Sequence, residues 1–289
     1  MCRFTMYLGP TIRLASLVVE PKNSIIHQSF HSKDQEDPLN GDGFGIAWYV
    51  PELAPEPALF RSVTPAWNNS NLLELARVVK SNVILAHVRA ASKHGGQSEA
   101  NCHPFRWGRY SFMHNGDVGG FAKLRRPLLA GLSDEAFEVI EGNTDSEHVF
   151  GLVVDELRKH PHGGLEAMAT AMAKAVLRIV ELGREHGIGE PHYLNLALSD
   201  GSEAVACRYT THEGYDGESL FVHTGRIYVC SKGECRMLAP TRGHGCVLIS
   251  SEPLSDDQGW HPLPRNSMVL VDRDGKLESR PIDPSPENA

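Results

Sequence analysis

Cysteine stands at position 2, directly behind the initiator methionine, in the run Met1-Cys2-Arg3-Phe4. A small second side chain permits removal of the methionine, and the chain would then begin with a thiol and a free α-amino group on one residue. An α-amino group titrates near pH ~7.7–8.0, well below a lysine, so a useful fraction is an unprotonated base at neutral pH. A thiol with a base beside it is an activated nucleophile. Four further clusters combine polar side chains with glycine, proline or a capping threonine. Asn40-Gly41-Asp42-Gly43-Phe44-Gly45 leads into a strand-like run, and His87-Val88-Arg89-Ala90-Ala91-Ser92 closes another. Asn101-Cys102-His103-Pro104-Phe105 is followed, after one strand, by His114-Asn115-Gly116, and Asn143-Thr144-Asp145-Ser146-Glu147 opens a helix.

Taken singly, each cluster has a plainer reading. Gly41 to Gly45 reads as a turn, and Asn115-Gly116 is the commonest hairpin dipeptide. Asp145 beside a capping threonine complements a helix dipole, and Arg89 reads as a strand-end surface residue. Cys102 and His103 are adjacent and lack a C-x-x-C partner, and Cys230 and Cys235 have no second pair, so neither set fits a zinc site. No metal and no cofactor are expected.

The elements that must position these residues are legible in part. Short β-branched or aromatic runs predict strands at 44–50, 83–89, 110–113, 193–199, 204–209, 220–223, 226–229, 246–250 and 267–271. Helices are predicted at 69–81 and 133–141, from Thr144 with Glu147 closing a capping box, and at 165–185. In the third, Phe150, Val153, Val154 and Leu157 recur at helical spacing. In the fourth, the stripe of Leu165, Met168, Met172, Val176, Ile179 and Val180 reads as core and not as a cofactor box. Residues 51–57 read as a proline-rich acidic loop. Strands, then helices, then strands again point to an α+β fold and away from alternating βαβ.

Composition narrows the function classes. The 289 residues are 41% hydrophobic and 22% charged, an ordinary balance for a soluble globular chain. The net charge of −8 and the absence of a long basic run argue against nucleic-acid binding. No apolar stretch approaches the ~20 residues of a membrane span, and no secretory signal precedes residue 17. The six cysteines are scattered through the chain, which predicts reduced thiols and a cytoplasmic location. No linker divides the chain, so one domain over 2–280 and a flexible tail over 281–289 are expected.

Together, in this order and spacing, the five clusters resemble the type II glutamine amidotransferases, N-terminal-nucleophile hydrolases that begin with cysteine. Within them the runs 40–44, 64–69, 86–90, 101–105, 112–116 and 144–147 look most similar to the Dug-type subunit of a fungal cytosolic glutathione-degrading complex. The chain is also similar to ergothioneine-pathway γ-glutamyl amidohydrolases. The likeness extends to Ser251-Glu252-Pro253-Leu254.

The resemblance implies a four-layer αββα sandwich and a cleavage of a γ-glutamyl amide through a thioester on Cys2. It implies that Asn115 and Gly116 supply oxyanion donors, that Arg89 grips the substrate α-carboxylate, and that Asp145 meets its α-ammonium. Asp42, Asn101 and His103 fall in matching segments and are expected to support the site. Glutathione or a related γ-glutamyl peptide is the expected substrate, with a metallopeptidase-like partner subunit. Glutamine or an ergothioneine-pathway thiol is the alternative substrate. The chain shows no second catalytic region to accept ammonia, which argues against a stand-alone synthetase. A chain that keeps Met1 would instead be a non-catalytic γ-glutamyl-binding subunit. Gly41 to Gly45 and Ser92 to Gly96 are candidate mobile loops.

Overall fold

The computed structural model describes residues 2–31, 39–91, 96–231, 233–238 and 245–282. Chain order gives β1 (Arg3–Arg13), α1 (Ala15–Val18), α2 (Ile25–Gln28), β2 (Phe44–Val50), β3 (Ala54–Ser62), α3 (Ser70–Val78) and β4 (Lys80–Val88). Next come β5 (Phe105–Trp107), β6 (Tyr110–Asp117), α4 (Phe121–Ala130), α5 (Asp134–Glu138), α6 (Asp145–Leu157) and α7 (Leu165–Glu185). The last part holds β7 (Tyr193–Ser199), β8 (Ala204–Thr210), β9 (Phe221–Gly225), β10 (Ile227–Ser231), β11 (Glu234–Leu238), β12 (Cys246–Ser250), β13 (Trp260–Pro262), β14 (Ser267–Val271) and β15 (Leu277–Pro281).

Two antiparallel sheets carry the fold. One has seven strands in the order β13-β9-β12-β1-β4-β2-β3, and the other has six in the order β15-β14-β8-β7-β6-β5. Side chains alternate between faces along a strand, and here the alternation sorts the core into three layers. Phe4, Met6, Leu8, Val83, Leu85, Val247 and Ile249 of the first sheet meet Met113, Ala197, Ala204, Ala206 and Val269 of the second. The intervening residues of the first sheet, Tyr7, Ile84, Ala86, Val88 and Leu248, pack with α1 and α3. Those of the second, Phe112, Leu194, Leu196, Leu198, Val205 and Leu270, pack with α4, α6 and α7. The result is the four-layer αββα sandwich, with helices on both outer faces. Among the described residues no helix is long and apolar enough to cross a membrane.

Helix α7 shows why the outer layers hold. Met168, Met172, Val176 and Ile179 recur on one face and are fully buried, each contributing about 1.5–3 kcal/mol by leaving water. Helix α6 starts where Thr144 Oγ1 accepts the Glu147 N–H and Glu147 returns a carboxylate oxygen to the Thr144 N–H, the expected capping box. Helix α3 begins one residue late, after the Asn69 cap, and ends at Val78 because Lys80 and Ser81 already belong to β4. Helix α5 is the predicted 133–141 helix cut to five residues behind a Ser133 cap.

Several sequence expectations are corrected. Strand β1, eleven residues long, had no prediction: Gly9-Pro10 punctuates its sequence, and the structure absorbs the pair where the pairing register with β4 shifts between Leu8 and Ile12, a place where proline is tolerated. The supposed loop at 51–57 is strand from Ala54, because β3 is a sheet edge and its prolines owe no ladder bonds there. Helix α4 was hidden by Pro127 within it. Asn115-Gly116 is no turn; both lie inside β6, opposite Asn195 and Leu194. Gly45 is not part of a mobile loop but a buried residue of β2, where a Cβ would fall 2.2 Å from the His103 carbonyl.

The cysteines are not all reduced. Cys230 and Cys235 face each other across the β10–β11 hairpin and are joined by a disulfide, while Cys2, Cys102, Cys207 and Cys246 are free. The register of the hairpin, invisible in the spacing, brings the two sulfurs together. Pro281 and Ile282, expected in the flexible tail, are ordered: Pro281 pairs with Ser267, and Ile282 is buried and donates its N–H to the Asn266 carbonyl at 2.8 Å. Met1, residues 92–95 of the second candidate loop and residues 283–289 of the tail lie outside the described residues.

Candidate active site

The same alternation that builds the core aims the polar residues. Cys2 is in phase with Phe4, Met6 and Leu8, so it belongs to the face between the sheets. On β4, His87 is in phase with Val83 and Leu85, and Arg89 follows two residues on. On β6, Asn115 is in phase with Met113. Thiol, guanidinium and carboxamide therefore converge on one end of the space between the sheets.

The Cys2 thiol donates to the Ala90 carbonyl at 3.5 Å, next to Arg89. Burial pushes this thiol above its ordinary value; the Arg89 charge opposes the shift and the Asp145 charge adds to it. A thiol held protonated in this way needs a base before it can attack.

Arg89 is buried and doubly moored. Its N–H donates to the Gly43 carbonyl at 2.8 Å, and its own carbonyl accepts the Asp42 N–H at 3.0 Å. Its guanidinium donates to the carbonyls of Asp42 at 3.3 Å and Gly96 at 3.4 Å. The Asp42 carboxylate accepts the Ala91 N–H at 2.8 Å and so fixes the chain beyond Arg89. Gly43 serves this turn with φ of +123°, a value that suits glycine.

Asp145 opens α6. One carboxylate oxygen accepts the Ser146 N–H at 2.8 Å and the other the Val118 N–H at 2.9 Å, just past the end of β6. Asn101 joins the two charged residues indirectly: it donates to the Gly96 carbonyl at 2.8 Å and accepts the Asn143 N–H at 3.1 Å. These two bonds tie the Gly96 carbonyl to the chain that leads into α6.

Asn115 is fully buried. Its amide nitrogen donates to the Ser251 hydroxyl at 3.5 Å, and its carbonyl oxygen has no partner among the described residues. A buried polar atom without a partner costs about 1–3 kcal/mol, the kind of debt that a site keeps for a ligand. Gly116 lies against β7 so closely that a Cβ would sit 1.8 Å from the Tyr193 carbonyl oxygen.

His103 does not join the convergence by hydrogen bonding. Its ring is sandwiched between His87 at 4.2 Å and Phe105 at 4.3 Å, and neither nitrogen has a partner among the described residues. Burial pushes His103 well below its ordinary value and His87 down to about 3, so both are neutral. His87 meets the His114 carbonyl at 3.1 Å, and His114 meets the Ser146 hydroxyl at 2.9 Å. His87, His114 and Ser146 thus link β4, β6 and α6, a role that only contacts distant in sequence reveal.

Cys102, the other cysteine near the site, is fully buried, and burial pushes its thiol up to about 11. The arrangement as a whole offers a thiol on a half-buried residue, a carboxamide donor, a cation and an anion: the parts needed to hold an amino-acid end group and attack an acyl carbon.

Comparisons with known proteins agree on the family. The family described as glutamine amidotransferases class-II matches residues 15–288. Probable glutamine amidotransferase DUG3 of Saccharomyces cerevisiae is 40% identical over 94% of this chain and 82% of its own length. The γ-glutamyl-hercynylcysteine sulfoxide hydrolase of Mycobacterium tuberculosis is 24% identical, covering 95% of this chain and 94% of its own. Among solved structures, a glutamine aminotransferase class-II domain protein from Silicibacter pomeroyi superposes with a TM-score of 0.68 at 30% identity, covering 98% of this chain and 100% of that one.

Proposed function

The chain belongs to the class II glutamine amidotransferases, enzymes of the N-terminal-nucleophile fold, and on that premise we propose that it hydrolyses the γ-glutamyl amide bond of glutathione or a related γ-glutamyl peptide. The observation that carries this reading is the convergence of Cys2, Arg89 and Asn115 on one face, with Asp145 tied to the end of the strand that holds Asn115. The 40% identity to the DUG3 relative favours the glutathione-degrading subgroup over the 24% relative named for a γ-glutamyl-hercynylcysteine sulfoxide.

In the proposed reaction Met1 is removed, and the α-amine of Cys2 takes the thiol proton, directly or through water. The sulfur attacks the γ-carbonyl carbon. The oxyanion is met by the Asn115 amide and the Gly116 N–H, preorganised donors of the kind that dominate acyl transfer. Collapse passes the proton to the leaving amine and leaves a γ-glutamyl thioester; water then attacks that ester, frees glutamate and restores the thiol. Arg89 holds the α-carboxylate as a planar fork, and Asp145 holds the α-ammonium. Analogues lacking either charge would forgo one of these two charge-assisted contacts and bind more weakly. A metallopeptidase-like partner subunit would process the released peptide, as the subgroup resemblance suggests.

The test is glutamate release from glutathione, other γ-glutamyl peptides and glutamine, by protein whose intact mass shows Met1 gone, beside Cys2→Ala. Release that depends on Cys2 supports the reading, and the best substrate identifies the branch. Equal release by Cys2→Ala would remove Cys2 from the chemistry.

A further inference from the structure

Ser251-Glu252 is a segment that the reaction above leaves without a task. It follows β12, and it reaches both the strand of the nucleophile and the strand of Asn115. Ser251 is fully buried. Its N–H donates to the Phe4 carbonyl at 3.0 Å, and its hydroxyl accepts the Phe4 N–H at 3.1 Å and the Asn115 amide at 3.5 Å. One of the two Asn115 N–H groups is thereby committed, which leaves the second for a ligand.

Glu252 works on the other face of β1. Arg3 is out of phase with Cys2 and points toward the helical layer, yet its side chain is only 1% exposed. There Nε donates to Glu252 Oε1 at 3.0 Å, and Glu218 stands 3.9 Å from Nη1. The same Nη1 donates to the Cys2 carbonyl at 3.0 Å. Asn23 holds the second Glu252 oxygen at 3.3 Å and the Pro253 carbonyl at 2.8 Å. A first residue would otherwise fray, because no preceding chain restrains it. Here its carbonyl is held by a buried guanidinium whose own orientation is set by two carboxylates.

We propose that Arg3 and Glu252 are positioning residues that clamp the Cys2 main chain, and that Ser251 couples this clamp to Asn115, so that thiol, α-amine and oxyanion donor keep one geometry. The proposal rests on the amidohydrolase reading for its kinetic consequence. Nucleophilic attack is sensitive to displacements of about 1 Å, which cost up to ~10²-fold in rate. Binding of the glutamyl end belongs to Arg89 and Asp145 and is not expected to change.

The experiment compares wild type, Glu252→Ala, Glu252→Gln and Ser251→Ala, each with Met1 removal confirmed by mass. It reads kcat and KM for the best γ-glutamyl substrate, melting temperature, and the rate of Cys2 carboxymethylation by iodoacetate. Glu252→Ala removes the nearer carboxylate from a buried guanidinium and leaves Glu218 at 3.9 Å, so Glu252→Gln, which keeps the volume and one acceptor, guards against loss of the fold. Glu252→Gln should lower kcat by about tenfold or more while KM stays nearly constant, the pattern of a group that serves the transition state. Ser251→Ala should do the same, and both should change the carboxymethylation rate. An unchanged kcat in folded Glu252→Gln would overturn the proposal, and so would a rise in KM alone. Should the wild type cleave no γ-glutamyl compound, the amidohydrolase reading falls by itself. Altered Cys2 carboxymethylation in the variants would then still uphold the clamp, and identical rates would end it.

Discussion

Asp145 accepts the Val118 N–H at 2.9 Å, and that single bond joins the first turn of α6 to the chain leaving β6. The carboxylate assigned to the substrate ammonium is thus fixed relative to the strand of Asn115 and Gly116. Asp145→Asn keeps an acceptor for Val118 and removes the charge. A hydrogen bond to a charged group contributes about 1.5–3 kcal/mol, so kcat/KM for γ-glutamyl substrates should fall roughly ten- to hundredfold with the fold retained. Steady-state kinetics beside a melting curve checks this; unchanged kcat/KM would remove Asp145 from substrate binding.

Arg89→Lys retains a positive charge and loses the planar fork that matches a carboxylate. The loss should appear mainly in KM, which should rise by about tenfold or more. Kinetics at several substrate concentrations separates the two constants. A normal KM would count against the carboxylate role. Because the guanidinium also donates to the Asp42 and Gly96 carbonyls, some loss of melting temperature is expected as well.

Gly116→Ala would place a methyl carbon 1.8 Å from the Tyr193 carbonyl oxygen and 2.7 Å from His114 Nε2. The strand pair must separate, at a cost of about 1–3 kcal/mol for overpacking. A displaced oxyanion donor should also lower kcat by up to ~10²-fold. Chemical denaturation and kcat measured on one preparation test both halves; a stable, fully active variant would refute the close approach and the role together.

Acid should destabilise the protein through its neutral buried histidines. Burial lowers His87 to about 3 and His103 well below its ordinary value. The unfolded chain binds these protons from near pH ~6.5 downward and the folded chain does not. Stability is therefore intact above that point and is lost as pH falls toward the folded values, by about 1.4 kcal/mol per pH unit for each histidine. His103→Phe keeps the ring contacts with His87 and Phe105 and removes one of those protons. Urea midpoints at pH 7 and pH 5 should differ less in this variant than in wild type. Equal differences would mean that His103 takes up no proton on unfolding.

The amino-acid sequence by itself carried the family: the five clusters around Cys2, Arg89, Asn115-Gly116 and Asp145 resemble, in their order and spacing, the class II glutamine amidotransferases to which the chain belongs. It also determined the helical middle, since α6 and α7 carry both a periodic apolar face and, for α6, a capping box. Local signals served less well where tertiary context overrides them. Gly9-Pro10 and Pro55 read as breaks, yet a register shift and a sheet edge accommodate them. Asn115-Gly116 reads as a turn, yet β7 pairs with it as strand.

Only the tertiary structure decided which residues share the site. The pairing of β1 with β4 and β12 sets the face on which Cys2 and Arg89 fall, and a slip of one residue would turn them to the helical layer. Arg3 and Glu252 stand 249 positions apart, and Asn115 and Ser251 stand 136 apart. No local propensity encodes contacts at such separations. The first arises within one sheet, where β12 pairs with β1, and the second where the two sheets close on a common apolar layer.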